Sequence, residues 1–87
     1  MEDSKTKTEK TLNEIRNGKT LSAKFMAGTI LCSIKYSREK NCFLFHEEDH
    51  RNSAGIDVTE EEMDEKRLRE ILENWINDPS NYPFTIK

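Results

Sequence analysis

From Lys19 onward, apolar and polar residues alternate with a period of two. Leu21, Ala23 and Phe25 alternate with Ser22 and Lys24, and Ile30, Cys32, Ile34 and Tyr36 alternate with Leu31, Ser33 and Lys35. This is the signature of a half-buried strand, because successive side chains point to opposite faces of a sheet. Ala27-Gly28 punctuates the first two runs, the polar segment 37–41 reads as a hairpin loop, and residues 42–45 form a short third run. The pattern predicts three antiparallel strands in a meander. After a polar loop from Glu48 to Gly55, Ile56 and Val58 flank Asp57 and predict a short fourth strand.

The period then changes. Met63, Leu68, Ile71, Leu72, Trp75 and Ile76 recur at helical spacing, and Thr59-Glu60-Glu61-Glu62 has the form of a capping box. Thr59 as N-cap and Glu62 at N3 would satisfy two orphan backbone donors reciprocally. This predicts a long amphipathic helix over about 60–77, stopped by Asn77-Asp78-Pro79 because proline cannot continue a helix. Ahead of the strands, Leu12 and Ile15 with Thr8 as N-cap and Asn17-Gly18 as a stop predict a short N-terminal helix over 8–17. Residues 1–7 hold no apolar residue after Met1 and read as a disordered arm; 8–87 reads as one compact domain. Tyr82, Phe84 and Ile86 alternate again beside Pro83, which predicts a C-terminal edge strand or tail. The predicted class is α+β: a three- to four-stranded antiparallel sheet covered on one face by the long helix.

Composition narrows the class further. The chain has 87 residues, 33% apolar and 36% charged, so its core is thin and large cofactor folds are excluded on size. No apolar run is long enough to span a membrane, and the polar start lacks the apolar segment of a secretory leader. These features predict a cytoplasmic protein without membrane contact. Cys32 and Cys42 then read as reduced, inward-facing small hydrophobes.

Charge is distributed unevenly along the chain. Residues 1–41 carry nine basic and five acidic side chains, net +4, whereas 42–87 carry five basic and twelve acidic ones, net −7. Such a dipole points to charged partners.

His46-Glu47-Glu48-Asp49-His50 matches H-E-x-x-H, the zinc-peptidase pattern in which two histidines one helical turn apart hold a metal and the glutamate serves as base. Here the motif follows residues 42–45, which read as a strand, and precedes the loop composition of 51–55; on a strand, positions four apart lie about 13 Å from each other. A metal-dependent hydrolase at His46, Glu47 and His50 is therefore the least favoured reading, and no metal or cofactor is expected. No nucleophile elbow or glycine-rich phosphate loop is present, since Gly18, Gly28 and Gly55 are isolated. The first turns of the predicted helix are rich in acids, which reads as a solvated face complementing the helix dipole.

Two binding readings remain. The acids Glu47, Glu48, Asp49, Glu60, Glu61, Glu62 and Asp64 could dock into a basic groove of a protein partner, since electrostatic matching accelerates association and sets specificity. Phage-encoded blockers of nucleic-acid enzymes and immunity proteins act in this way, so an inhibitor or regulator is the leading expectation. Alternatively, Lys24, Lys35, Arg38 and Lys40 with Tyr36 could bind a single-stranded nucleic acid through phosphate contacts and stacking. In order of elements over about 20–76, with Gly55-Ile56-Asp57-Val58 closing the meander before a capped helix, the chain resembles small single-strand-binding coactivators built from a four-stranded sheet plus helix. That resemblance implies the second reading, while a pI near 5.4 weighs against it. Trp75 is a core candidate that could also anchor a partner. A thin core makes a homodimer, through an edge strand or the helix face, a further expectation.

Overall fold

The computed structural model describes residues 4–78 and 83–87. Its elements run α1 (Ser4–Arg16), β1 (Leu21–Phe25), β2 (Ile30–Ser37), β3 (Cys42–Asp49), β4 (Asp57–Met63), α2 (Glu65–Asn77) and β5 (Phe84–Ile86). The architecture is α+β, with one five-stranded antiparallel sheet in the order β4-β3-β2-β1-β5. Both helices lie on the same face of the sheet, over its β5-β1-β2 side and the Phe43 end of β3.

Period-two alternation decides which side chains reach the helices. Leu21 and Ala23 of β1, Cys32 and Ile34 of β2, Phe43 of β3 and Met63 of β4 are buried against Leu12 and Ile15 of α1 and Leu68, Leu72 and Trp75 of α2. Trp75 is a core residue, meeting Phe25 edge-on at 5.4 Å between ring centroids and Phe84 at 6.1 Å. The helices are tied to each other by ion pairs, Arg16 with Glu65 and Arg69 with Glu9 at 2.8 Å.

The sequence expectation is corrected at both helix starts. α1 begins at Ser4, so residues 4–7 are helix and not arm, while 1–3 lie outside the described residues. Thr8 is not a cap; it sits buried inside the helix, donating its hydroxyl to the Ser4 carbonyl at 2.6 Å. The C-terminus follows the expected stop. Gly18 takes φ of 110°, its N–H reaches the Ile15 carbonyl at 3.0 Å, and the Lys19 N–H reaches Glu14 at 3.1 Å. This is a Schellman closure.

The larger correction concerns residues 57–63. They form a seven-residue strand paired along its length with β3, Phe43 opposite Met63 and Asp49 opposite Asp57. The helix starts at Glu65, and its N-cap is Asp64, whose carboxylate accepts from the Arg67 N–H at 2.8 Å. Asp64 offers the same capping chemistry as Thr59 one turn later. Helix from residue 60 would strip β3 of its outer partner and remove Met63 from Phe43. Cross-strand pairing therefore overrides a local capping signal. The sheet has five strands instead of three or four, and two helices cover its face. Phe84 and Ile86 form the expected C-terminal edge strand, paired with Ala23 and Leu21; Tyr82 and Pro79 lie outside the described residues.

Two substitutions check this boundary. Asp64→Ala should lower stability by about 1 kcal/mol, the usual cost of a lost N-cap, whereas Thr59→Ala should stay within about 0.5 kcal/mol as an exposed surface change. Urea denaturation of the two variants beside the parent measures both.

Candidate functional site

One sheet face is not covered by any described element. Register sorts it into transverse rows: Lys24, Leu31, Glu48 and Val58; then Thr85, Ser22, Ser33, His46 and Glu60; then Lys35, Leu44 and Glu62. In the first and third rows the lysines come from β1 and β2, and in all three rows the carboxylates come from β3 or β4. The dipole of the linear sequence thus survives folding as a lateral division of one surface, because a meander keeps consecutive strands adjacent. A shallow groove of about 500 Å³ crosses the boundary, lined by Ser33, Lys35, Lys40, His46, Glu60 and Glu62 among others.

The expected acidic site divides between two faces. Glu48, Glu60 and Glu62 lie on the open face, while Glu47, Asp49 and Glu61 lie on the helix side with Asp57. Asp64 is engaged as the α2 cap. The helix-side acids are still reachable, since the helices stop short of them and β4 is largely exposed up to Met63. Residues 42–63, two paired strands joined by an exposed loop, hold seven carboxylates and one arginine.

Local contacts favour the ionised form of three of the carboxylates, Glu48, Asp49 and Glu62. Glu48 is gripped between two imidazoles, His46 Nε2 at 3.0 Å from one oxygen and His50 Nε2 at 3.1 Å from the other. These hydrogen bonds, His46 first, lower its pKa. Asp49 accepts from Arg51 Nε at 2.9 Å, Nη2 at 2.8 Å and the Arg51 backbone N–H at 3.0 Å, which pulls its pKa down to about 2. Lys40 donates to Glu62 at 2.9 Å, lowering the Glu62 pKa and raising its own. Arg67 pairs with Glu61 at 3.2 Å. Glu60 has no ion-pair partner among the described residues.

The H-E-x-x-H segment adopts the strand geometry that opposes peptidase chemistry. His46 and Glu48 project to the open face, and His50, just beyond β3, reaches back to Glu48. Glu47, which would have to serve as base, projects to the other face, where Cys32 donates its thiol to Glu47 at 3.5 Å. A base on the far side of the strand cannot act on water held between the two histidines. Burial first, then the Glu47 charge, pushes the Cys32 thiol up to about 12, so it stays protonated and is a poor nucleophile. Cys42, expected to face inward, instead projects to the open face with Sγ 3.9 Å from Glu62.

The basic set is also divided. Lys24 and Lys35 share the open face, and Arg38 and Lys40 lie in the exposed β2–β3 turn. Tyr36 lies on the opposite face, its ring 5.0 Å from Phe43 and its hydroxyl donating to Asn41 Oδ1 at 2.6 Å. Alternation puts Phe43 and Phe45 there too, so among the described residues no phenyl, phenol or indole ring joins the strand lysines. Sequence reasoning missed that Glu60 and Glu62 share a surface with Lys24 and Lys35, since this requires β4 to be a strand. The available signal was weak: Val58 and Met63 are the only large apolar side chains within 57–63.

No described helix is long and apolar enough to cross a membrane. No protein-family model, curated protein or solved structure matches the chain.

The Asp49–Arg51 contact has a definite pH signature. Because the folded-state pKa is depressed, its contribution to stability is complete above the unfolded aspartate value of about 3.9 and is lost as pH falls through about 2. The Asp49 carboxyl resonance should titrate near that value in the folded protein, and Arg51→Ala should return it toward the unfolded value. NMR pH titration of the two proteins measures this.

Proposed function

We propose that this protein is a non-enzymatic binding module, an inhibitor or regulator that presses its β3–β4 hairpin against a basic surface of another protein. The carrying observation is the hairpin itself. It extends past the helical layer, is exposed from Arg51 to Glu60, and bears carboxylates on both sides of the strand pair. The ledge of Glu47, Asp49, Asp57 and Glu61 faces the same way as the helices, so a basic partner can lodge between the hairpin and the helical layer. Paired strands hold the backbone positions of these carboxylates at fixed spacing, which favours specificity because little backbone order must be gained on binding. The separation of Glu47 from both histidines supports a role without hydrolysis.

A second reading, binding of single-stranded nucleic acid, is favoured by Lys24 and Lys35 standing on one face beside the hydroxyls of Ser22 and Ser33. Among the described residues that face lacks the aromatic platform on which bases stack, and its adjacent β3–β4 half is acidic.

The test is affinity capture from the native cell, followed by titration with the purified captured protein. The triple variant Glu47→Lys, Asp57→Lys, Glu61→Lys should weaken binding at least about tenfold, and raised salt should weaken the parent likewise. Unchanged, salt-insensitive affinity would refute the reading. A salt-dependent shift of a labelled oligonucleotide, abolished by Lys24→Glu with Lys35→Glu, would establish the second reading instead.

A further inference from the structure

The docking reading employs the helix side of the hairpin and leaves the open sheet face without an occupant. We infer that a second copy of this chain covers it, forming a two-fold dimer with the two sheets face to face. A symmetric interface must be complementary to itself, and the lateral division of charge supplies that complementarity. A two-fold axis running along the strands over β2 lays the β1–β5 side of each copy on the β3–β4 side of the other. An axis across the strands would instead lay acid on acid.

The register identifies what meets. Lys24 and Glu48 flank Leu31 in one row, one strand to either side of β2. Rotation about the β2 axis therefore sets Lys24 of each copy opposite Glu48 of the other, and Leu31 against its own counterpart. In the next row Ser33 lies on the axis, and its small side chain allows close approach. Lys35 also lies on the axis strand; it shares its own groove with Glu60 and Glu62, which offsets the repulsion between the two lysines that meet there. The strands β1 to β5 hold five, eight, eight, seven and three residues, which at about 4.8 by 3.3 Å per residue present a flat area of roughly 490 Å². With side-chain relief this approaches the ~800 Å² per partner of an ordinary stable interface. The helix-side ledge stays free, so dimer and basic partner can be bound together.

Charge exchange tests this directly by analytical ultracentrifugation of the full chain at low salt. The parent should sediment at twice its 10.2 kDa chain mass. Lys24→Glu alone and Glu48→Lys alone should each raise the dimer dissociation constant at least about tenfold. Mixing these two variants, or combining both changes in one chain, should restore the dimer. Circular dichroism identical to the parent shows that the exposed substitutions leave the fold intact. A parent that stays monomeric at sub-millimolar concentration would overturn the proposal. So would a dimer indifferent to either reversal, or one lost in both variants and not restored by mixing. Because the ledge is untouched, partner affinity in a monomeric variant separately reports on the docking reading.

Discussion

The contact on which the rest depends is the burial of a single sheet face under two short helices. Leu21, Ile34, Leu68, Leu72, Leu12 and Ile15 are fully enclosed there, and a chain of this size has no second core to fall back on. Once that face is fixed, the strand period fixes everything opposite it, because a one-residue slip in any strand would turn its apolar set to water. The placement of charge is therefore a consequence of hydrophobic packing. Glu48 and Glu60 face outward because Phe43 and Met63 face inward.

The same constraint explains why the carboxylates do not gather at one spot. A helix start at residue 60 would have concentrated Glu60, Glu61, Glu62 and Asp64 in one turn and a half. In a strand these acids alternate, giving a ledge on the helix side and an acidic half on the open face. β4 is also the exposed edge of the sheet. Charges along an edge strand discourage uncontrolled pairing with other chains, so its acids protect the edge as well as offering a docking surface. Two β4 edges brought together antiparallel would oppose acid to acid, which leaves the open face as the better site for self-association.

Much of this arrangement was legible in the residues. The alternation from Leu21 to Tyr36 located β1 and β2, and the Leu68–Leu72–Trp75 stripe located α2. The Asn17-Gly18 stop located the end of α1. What escaped was set by contacts distant in sequence. Thr59 through Glu62 satisfies a helix-capping pattern locally, and only the presence of β3 alongside makes extension the better state. Thr8 looked like a cap because its burial inside α1 has no sequence signature. The division of the acidic site followed from the first of these errors. The separation of Tyr36 from Lys35 was already present in the alternation: adjacent residues in a strand point to opposite faces, and Tyr36 shares its face with the buried Cys32 and Ile34.

Both proposed surfaces presuppose that residues 57–63 are extended and paired with β3. Backbone chemical shifts and cross-strand proton contacts in solution measure this most directly. The account predicts strand-type shifts through Glu62 and contacts between Phe45 and Glu61, and between Glu47 and Thr59, with helical shifts beginning only after Asp64. Helical shifts from Glu60 onward, without contacts to β3, would contradict it.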